Sequence, residues 1–118
     1  MQKRNNPKTK NKVYAPRDKA NRWLYRIYRM LNNTGMRFRL NRRLMCYGIS
    51  TITIDRDAEV VINPEKKEFM STIVHECLHL VDWDMAEERV MKLERLLMRH
   101  LTDRQLLNLL RKIIILHT

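Results

Sequence analysis

The segment from Phe69 to Val81, which reads FMSTIVHECLHLV, constrains the fold more than any other part of this chain. It has the length of an ordinary helix, and most of its residues are apolar. A helix that is apolar around most of its circumference has to be covered by other elements. The chain has 118 residues, a length typical of one domain with one core. We therefore expect a single domain in which this helix is largely buried.

Periodicity over the rest of the chain predicts an α+β fold. Some segments have apolar residues at helical spacing, and others alternate between polar and apolar residues as strands do. The predicted elements are a helix over about 18–32, strands over 36–40, about 44–54 and 58–62, and helices over about 63–81, 85–100 and 103–116. The later helices follow the strands as a group, which is typical of an α+β domain.

Three helix starts have more specific interpretations. Asn63 is expected to cap the helix that runs to Val81, because an asparagine oxygen accepts hydrogen bonds from free N–H groups. Asp84 with Glu87 resembles a capping box for the next helix, and Thr102 with Gln105 resembles another for the last. Among the strands, a glycine at position 48 is expected to mark a bulge or bend.

Positive charge is concentrated in the first half of the chain. The net charge is +11, and residues 1–50 hold 14 Lys and Arg against one acid, Asp18. Such asymmetry indicates a polyanionic partner, usually nucleic acid, or a solvated basic tail. Residues 1–16 are interpreted as a flexible basic arm and residues 17–118 as the domain.

Seven arginines in this half are the candidate nucleic-acid contacts. Three lie on the first predicted helix, and four lie around a hairpin expected from the first two strands. They are Arg22, Arg26, Arg29, Arg37, Arg39, Arg42 and Arg43. Phosphate contacts by such residues would make binding depend steeply on salt.

Composition argues against membrane-spanning and secreted classes. The longest uninterrupted apolar runs have only a few residues, too short for a membrane span. Residues 1–12 are polar and basic without an apolar segment behind them, unlike a secretory signal. Cys46 and Cys77 are too few for a disulfide scaffold. We therefore expect free thiols and a cytoplasmic location, where the compartment is reducing.

The segment His75-Glu76-Cys77-Leu78-His79 is an HExxH motif on the predicted buried helix. Residues four apart share a helix face, so His75 and His79 can present two imidazoles to one metal ion. Glu76 lies about 100° around the helix from His75, where it can act on water without binding the metal. The alternative is an accidental match, although burying a glutamate beside two histidines is costly without a metal ion or hydrogen bonds.

A catalytic zinc ion usually has three protein ligands, so a third residue is needed. Positions 82 and 85 hold Asp82 and Met85, which excludes the metzincin pattern of glycine and histidine there. The remaining candidates are acids on or before the next helix, namely Glu87, Glu88, Glu94, Asp82 and Asp84. Glu87 lies about 80° from the centre of the apolar stripe and Glu88 about 180°, which favours Glu87. A capping role for Glu87 is the alternative.

Residues 63–90 combine an Asn-Pro helix start after a strand, the sequence TIVHECLH over Thr72–His79, and AEERV after a short turn. This run, about a quarter of the chain, resembles compact zincin-type (HExxH) metallopeptidases. That group includes SprT-like domains and small versions encoded by phages and mobile elements. SprT domains usually supply a third histidine, whereas this chain has none between His79 and His100.

The resemblance implies a zinc-dependent peptidase. It implies zinc ligation by His75 and His79, catalysis by Glu76 as the base, and Glu87 as the matching acidic residue. The substrate would be a protein or peptide, including proteins bound to nucleic acid. An edge strand of the sheet could hold an extended peptide by main-chain pairing. Tyr47 and His100 are the candidates for stabilising an oxyanion.

Two other interpretations remain open. The chain could be a basic nucleic-acid-binding protein whose zinc site is structural or vestigial. It could also form a homo-oligomer, because leucines and isoleucines between Leu106 and Leu116 cover more than one face of the last helix and need burial in the core or a partner.

Overall fold

The computed structural model of the chain describes residues 15–33, 35–52, 58–65 and 68–117. Its elements are α1 (Pro16–Asn33), β1 (Met36–Leu40), β2 (Gly48–Ile52), β3 (Ala58–Ile62), α2 (Phe69–Val81), α3 (Glu87–His100) and α4 (Asp103–His117). This is the predicted α+β order. Pro16, predicted as the last residue of the arm, is the first residue of α1, while residues 1–14 lie outside the described part.

The sheet has the strand order β1-β3-β2, with β3 in the centre. β1 pairs with β3 in parallel, and β2 pairs with β3 in antiparallel orientation. The predicted hairpin between the first two strands is therefore wrong. β3 (AEVVI) is the most apolar strand and is buried over four of its five residues, as a central strand should be. β2 forms one edge of the sheet.

β2 starts later than predicted and is regular at its first residue. Residues 44–47 form a bend before it, and residues 53 and 54 of the predicted strand lie outside the described part. Gly48 is not a bulge, because it pairs in register with Ile62. A Cβ at this position would lie 2.8 Å from Thr72 Cγ2 and 2.9 Å from the Ile62 side chain. Glycine therefore allows β2 to approach α2 closely.

α2 lies at the centre of the core, as its apolar sequence predicts. Ile73, Val74 and Leu78 are fully buried and belong to one cluster with residues of the sheet and the other helices. α1 is amphipathic, and its apolar face belongs to this cluster. The buried residues of this face are Ala20, Trp23, Leu24, Ile27 and Leu31. The polar residues of α2 are thereby held on a rigid element.

Asn63 does not cap α2, because the helix begins only at Phe69. Its buried side chain instead donates to the carbonyls of Arg42 and Leu44, at 3.1 and 2.9 Å, and accepts from the Glu65 N–H at 2.9 Å. Asn63 thus fixes the bend before β2. The amide satisfies backbone groups in a loop, which a sequence pattern cannot distinguish from helix capping.

The two predicted capping boxes have opposite outcomes. At α4, the Gln105 N–H donates to Thr102 Oγ1 and the Thr102 N–H donates to Gln105 Oε1, which confirms that box. At α3 the capping residue is Ala86, without a side-chain cap, so the Asp84–Glu87 box is wrong. The Glu87 carboxylate instead contacts His75 and His79 on α2.

α4 has one buried and one exposed apolar face. Leu106, Leu109 and Ile113 are buried, whereas Leu107, Ile114 and Ile115 are exposed. A homo-oligomer through this helix stays a prediction. Within the described part of the chain, no helix is both long enough and apolar enough to cross a membrane.

Candidate metal centre

His75 and His79 lie on the same face of α2, and the start of α3 is folded back onto them. Their ring centroids are 4.9 Å apart. The turn after α2 is held by the Met85 N–H, which donates to the Asp82 carbonyl at 3.1 Å. This turn places Glu87, the first residue of α3, opposite the two imidazoles.

Three side chains converge on one point. The Nε2 atoms of His75 and His79 are 3.2 Å apart. One carboxylate oxygen of Glu87 lies 2.8 Å from His79 Nε2, and the other lies 3.2 Å from His75 Nε2. Among the described residues, this is the one group of three or more His, Cys, Asp or Glu side chains compact enough to hold a metal ion.

The spacing of these atoms suits a small divalent cation. Nitrogen and oxygen ligands of tetrahedral zinc lie at about 2.0–2.1 Å from the ion, which places them about 3.3 Å from each other. The three separations of 2.8 to 3.2 Å are close to this value. Two imidazoles and one carboxylate are also a donor set that zinc accepts. The residues present therefore fit zinc.

Glu94 lies about two helical turns after Glu87 on α3. It contacts His75 on the side of the ring that faces away from Glu87. Its carboxylate lies 2.6 Å from His75 Nδ1, and its second oxygen accepts a hydrogen bond from the Ser71 hydroxyl. In the neutral ring this contact assigns the proton to Nδ1, so Nε2 presents a lone pair. A lone pair facing the Glu87 carboxylate is unfavourable unless a cation or a proton lies between them. A carboxylate behind a metal-binding histidine is a common arrangement.

Glu76 is buried beside this group. Its residue is only 7% exposed, yet it lines the cleft that contains both histidines. Among the described residues, its carboxylate has no hydrogen-bond or ion-pair partner. Burying a carboxylate in this way is costly.

Cys77 points into the core instead of the cleft, as expected from its position between the histidines. Burial, reinforced by the nearby Glu76 carboxylate, raises the pKa of the Cys77 thiol to about 12. The thiol is therefore protonated at neutral pH and is a poor metal ligand. Cys46 is exposed and lines the cleft.

A cleft of about 970 Å³ surrounds the three converging side chains. One wall is α2 and the start of α3, and the other is residues 45–50, at and before the edge strand β2. Its rim carries large apolar side chains that are at least 42% exposed, namely Met45, Tyr47, Ile49, Trp83 and Met91. Of the two candidates for an oxyanion, Tyr47 lines this cleft and His100 lines a neighbouring groove.

The structure separates the five candidate third ligands. Glu87 meets both histidines, whereas Glu94 contacts only the far side of His75. Glu88 is exposed, and neither it nor Asp82 or Asp84 lines the cleft or belongs to the compact group. The preference for Glu87 over Glu88 agrees with this geometry, and zinc ligation itself stays a prediction.

Glu94 and Ser71 are the residues whose role the sequence did not reveal. Ser71 is one turn before His75 on α2, and Glu94 is seven residues after Glu87 on α3. Seven residues are about two helical turns, so both acids face α2. This spacing was a usable signal, but it could not distinguish a ligand from a residue that orients one.

The seven candidate nucleic-acid contacts are all exposed, and they lie on α1, on β1 and in the turn that follows β1. Arg26 stacks on Trp23 and Arg29 lies over Tyr25. On other elements, Arg39 pairs with Glu59 at 2.9 Å and Arg42 with Glu65 at 3.7 Å. Arg22 also has a partner within the chain. For the remaining two, Arg37 and Arg43, the described residues show no side-chain partner.

Comparison of this chain with protein-family models, with curated proteins and with solved structures returned no match.

Proposed function

We propose that this protein is a zinc-dependent metallopeptidase that hydrolyses peptide bonds in the cleft between α2 and β2. The observation that carries the proposal is the buried Glu76 carboxylate, which has no hydrogen-bond or ion-pair partner among the described residues, beside three convergent ligand-type side chains. Ordinary core packing gives no reason for either feature. Together they provide a metal site and an adjacent base in an accessible cleft.

His75, His79 and Glu87 would hold the ion, and Glu94 would fix the ring of His75. A zinc ion held there would supply Lewis acidity, which polarises a carbonyl group and makes water more acidic. Three protein ligands leave one coordination position for substrate or water, as in catalytic zinc sites.

Glu76 would act as the general base. Its carboxylate accepts a proton from the attacking water and passes it to the nitrogen of the departing amine. The water oxygen adds to the carbonyl carbon first, and the C–N bond breaks once the amine nitrogen has received the proton, so the products are a carboxylate and an amine. Tyr47, on the opposite wall, is the candidate donor to the oxyanion.

An extended peptide is the substrate that fits this cleft. β2 is an edge strand, and an edge strand can bind an extended chain through its free N–H and C=O groups. The exposed apolar rim provides contacts for the side chains of such a peptide. A protein segment that is unfolded or extended meets both requirements.

Zinc content and peptide hydrolysis, measured on the same samples, test the proposal. Protein purified without chelator should contain about one zinc per chain, and His79→Ala should lose it. Glu76→Gln should keep the zinc but hydrolyse an unfolded protein such as reduced casein roughly 10²–10⁴-fold more slowly. Glu88→Gln, on the exposed side of α3, is the matched control. Unchanged hydrolysis by Glu76→Gln would refute this assignment of the base.

A further inference from the structure

A second groove adjoins the metal cleft and is lined by basic residues of α3. It has a volume of about 720 Å³ and shares Glu68, Ser71 and Glu94 with the metal cleft. Beyond these shared residues, its charged lining consists of Lys92, Arg95 and Arg99, with His100 next to them. We call this the basic groove. It belongs to the second half of the chain, which is nearly neutral overall, so composition gives no hint of it.

Three cations of the basic groove lie on one face of α3, while the two acids of its lining, Glu68 and Glu94, are shared with the cleft. Lys92, Arg95 and Arg99 are exposed, and the described part of the chain gives none of them an ion pair. Their spacing of three and four residues makes them neighbours on the helix surface, where like charges repel. An arrangement that is unfavourable by itself becomes favourable when an anion lies in the groove.

We infer that the basic groove binds an acidic stretch of the peptide substrate, next to the bond that is cleaved. This inference rests on the proposed function, because it assigns a substrate preference to the same cleft. A chain paired with β2 passes the metal centre and can continue past Glu94 and Ser71 into the basic groove. The groove therefore selects for acidic residues on one side of the scissile bond.

The dimensions suit an extended peptide. Lys92 and Arg99 are separated by about 10 Å along the axis of α3. Alternate side chains of an extended peptide project to the same side at intervals of about 6.8 Å. Two acidic residues at alternate positions can therefore reach all three cations.

Nucleic acid fits the same path less well. Its phosphates would have to pass the carboxylates of Glu68 and Glu94, which line the junction between groove and cleft. Like charges at this junction repel a continuous polyanion. A peptide can place neutral residues at the junction and acidic residues beyond it.

Fluorescence anisotropy with defined probes tests the inference without relying on hydrolysis. The probes are a labelled peptide in which Glu alternates with Ala, the same peptide with Gln in place of Glu, and a single-stranded oligonucleotide of equal length. The Glu76→Gln background keeps the peptides intact. We expect the Glu peptide to bind roughly tenfold more tightly than the Gln peptide at low salt, with the difference shrinking at higher salt.

Two triple variants locate the binding. Replacing Lys92, Arg95 and Arg99 with Gln should abolish the difference between the Glu and Gln peptides. Replacing Lys19, Arg104 and Arg111 with Gln removes the same charge from exposed positions outside the groove and should preserve the difference. A third variant, with Glu at positions 92, 95 and 99, should instead favour a peptide containing Lys. Thermal unfolding checks that each variant is folded.

The outcomes separate this inference from the proposed function. An equal preference for the Glu peptide in both Gln triple variants would overturn the basic groove. Tighter binding of the oligonucleotide that disappears in the groove variant would also overturn it, in favour of a nucleic-acid surface. Groove-dependent binding of the Glu peptide by a protein that hydrolyses nothing would support the groove and refute the peptidase. Hydrolysis by a protein that binds the Glu and Gln peptides equally well would support the peptidase and refute the basic groove.

Discussion

The charged groups between α2 and α3 and those on the exposed sides of α1 and β1 are arranged in different ways. Between α2 and α3, two imidazoles and a carboxylate face one point, and the buried Glu76 carboxylate beside them has no partner in the part of the chain that the structure describes. On α1 and β1, exposed arginines have partners within the chain. Arg26 stacks on Trp23, and Arg39 pairs with Glu59. Two imidazoles and a carboxylate that converge on one point of an open cleft are typical of a ligand site, whereas exposed charges paired along a surface are typical of solubility and stability.

The largest effect is expected when the Glu87 carboxylate, which converges on the two histidines, is removed. Glu87→Gln should weaken zinc binding by more than about 100-fold, since loss of a direct ligand should exceed the effect of losing an outer contact. Glu88→Gln, the adjacent residue on the exposed side, should bind zinc as the wild type does. Competition with a chromogenic chelator measures both affinities. Equal affinities for the two variants would show that Glu87 is not a ligand.

A variant at Glu94 tests whether the contact between Glu94 and His75 Nδ1 contributes to zinc affinity. Glu94→Gln keeps the size of the side chain but removes the charge that holds His75 Nδ1, and we expect zinc affinity to fall about 10–100-fold. Ser71→Ala removes only the second partner of Glu94 and should have a smaller effect. The thermal stability of the zinc-free protein distinguishes this role from a purely structural one. If both variants lose stability without losing affinity, Glu94 does not orient the ligand.

A third test concerns the wall that faces the metal centre. Gly48→Ala places a Cβ against Thr72 and Ile62, and we expect a loss of about 1–3 kcal/mol in the free energy of unfolding. Ser50→Ala, on the same strand, is the matched control and should change stability less. Urea unfolding measures both values. A stable Gly48→Ala variant would mean that β2 and α2 can separate without cost.

The sequence predicted the parts of the molecule that depend on local spacing. The face shared by His75 and His79 follows from helical geometry alone, as does the preference for Glu87 over Glu88. The Thr102–Gln105 capping box is likewise local. In each case the relevant atoms lie within one or two helical turns, so the pattern of residues determines their geometry.

The features that were missed depend on contacts between distant segments. Asn63 was predicted to cap a helix, but its side chain donates hydrogen bonds to the carbonyls of Arg42 and Leu44, about twenty residues earlier in the chain. The central position of β3 likewise depends on which strands meet, which no local pattern encodes. Glu94 has the correct spacing, but its contact with His75 requires the packing of α3 on α2.

The smallest expected effects are on the arginine-rich surface, where Arg39 and Arg37 form a matched pair. Both are exposed on β1, but among the described residues only Arg39 has a side-chain partner, Glu59. Arg39→Gln should cost about 0–1 kcal/mol in the free energy of unfolding, because exposed ion pairs contribute little, and Arg37→Gln should cost less. Binding of a single-stranded oligonucleotide should be weak in the full chain and should change little in Arg39→Gln. If Arg39→Gln and Arg37→Gln each reduced the affinity and its salt dependence equally, both arginines would contact phosphate, and the exposed side of β1 would be a nucleic-acid-binding site.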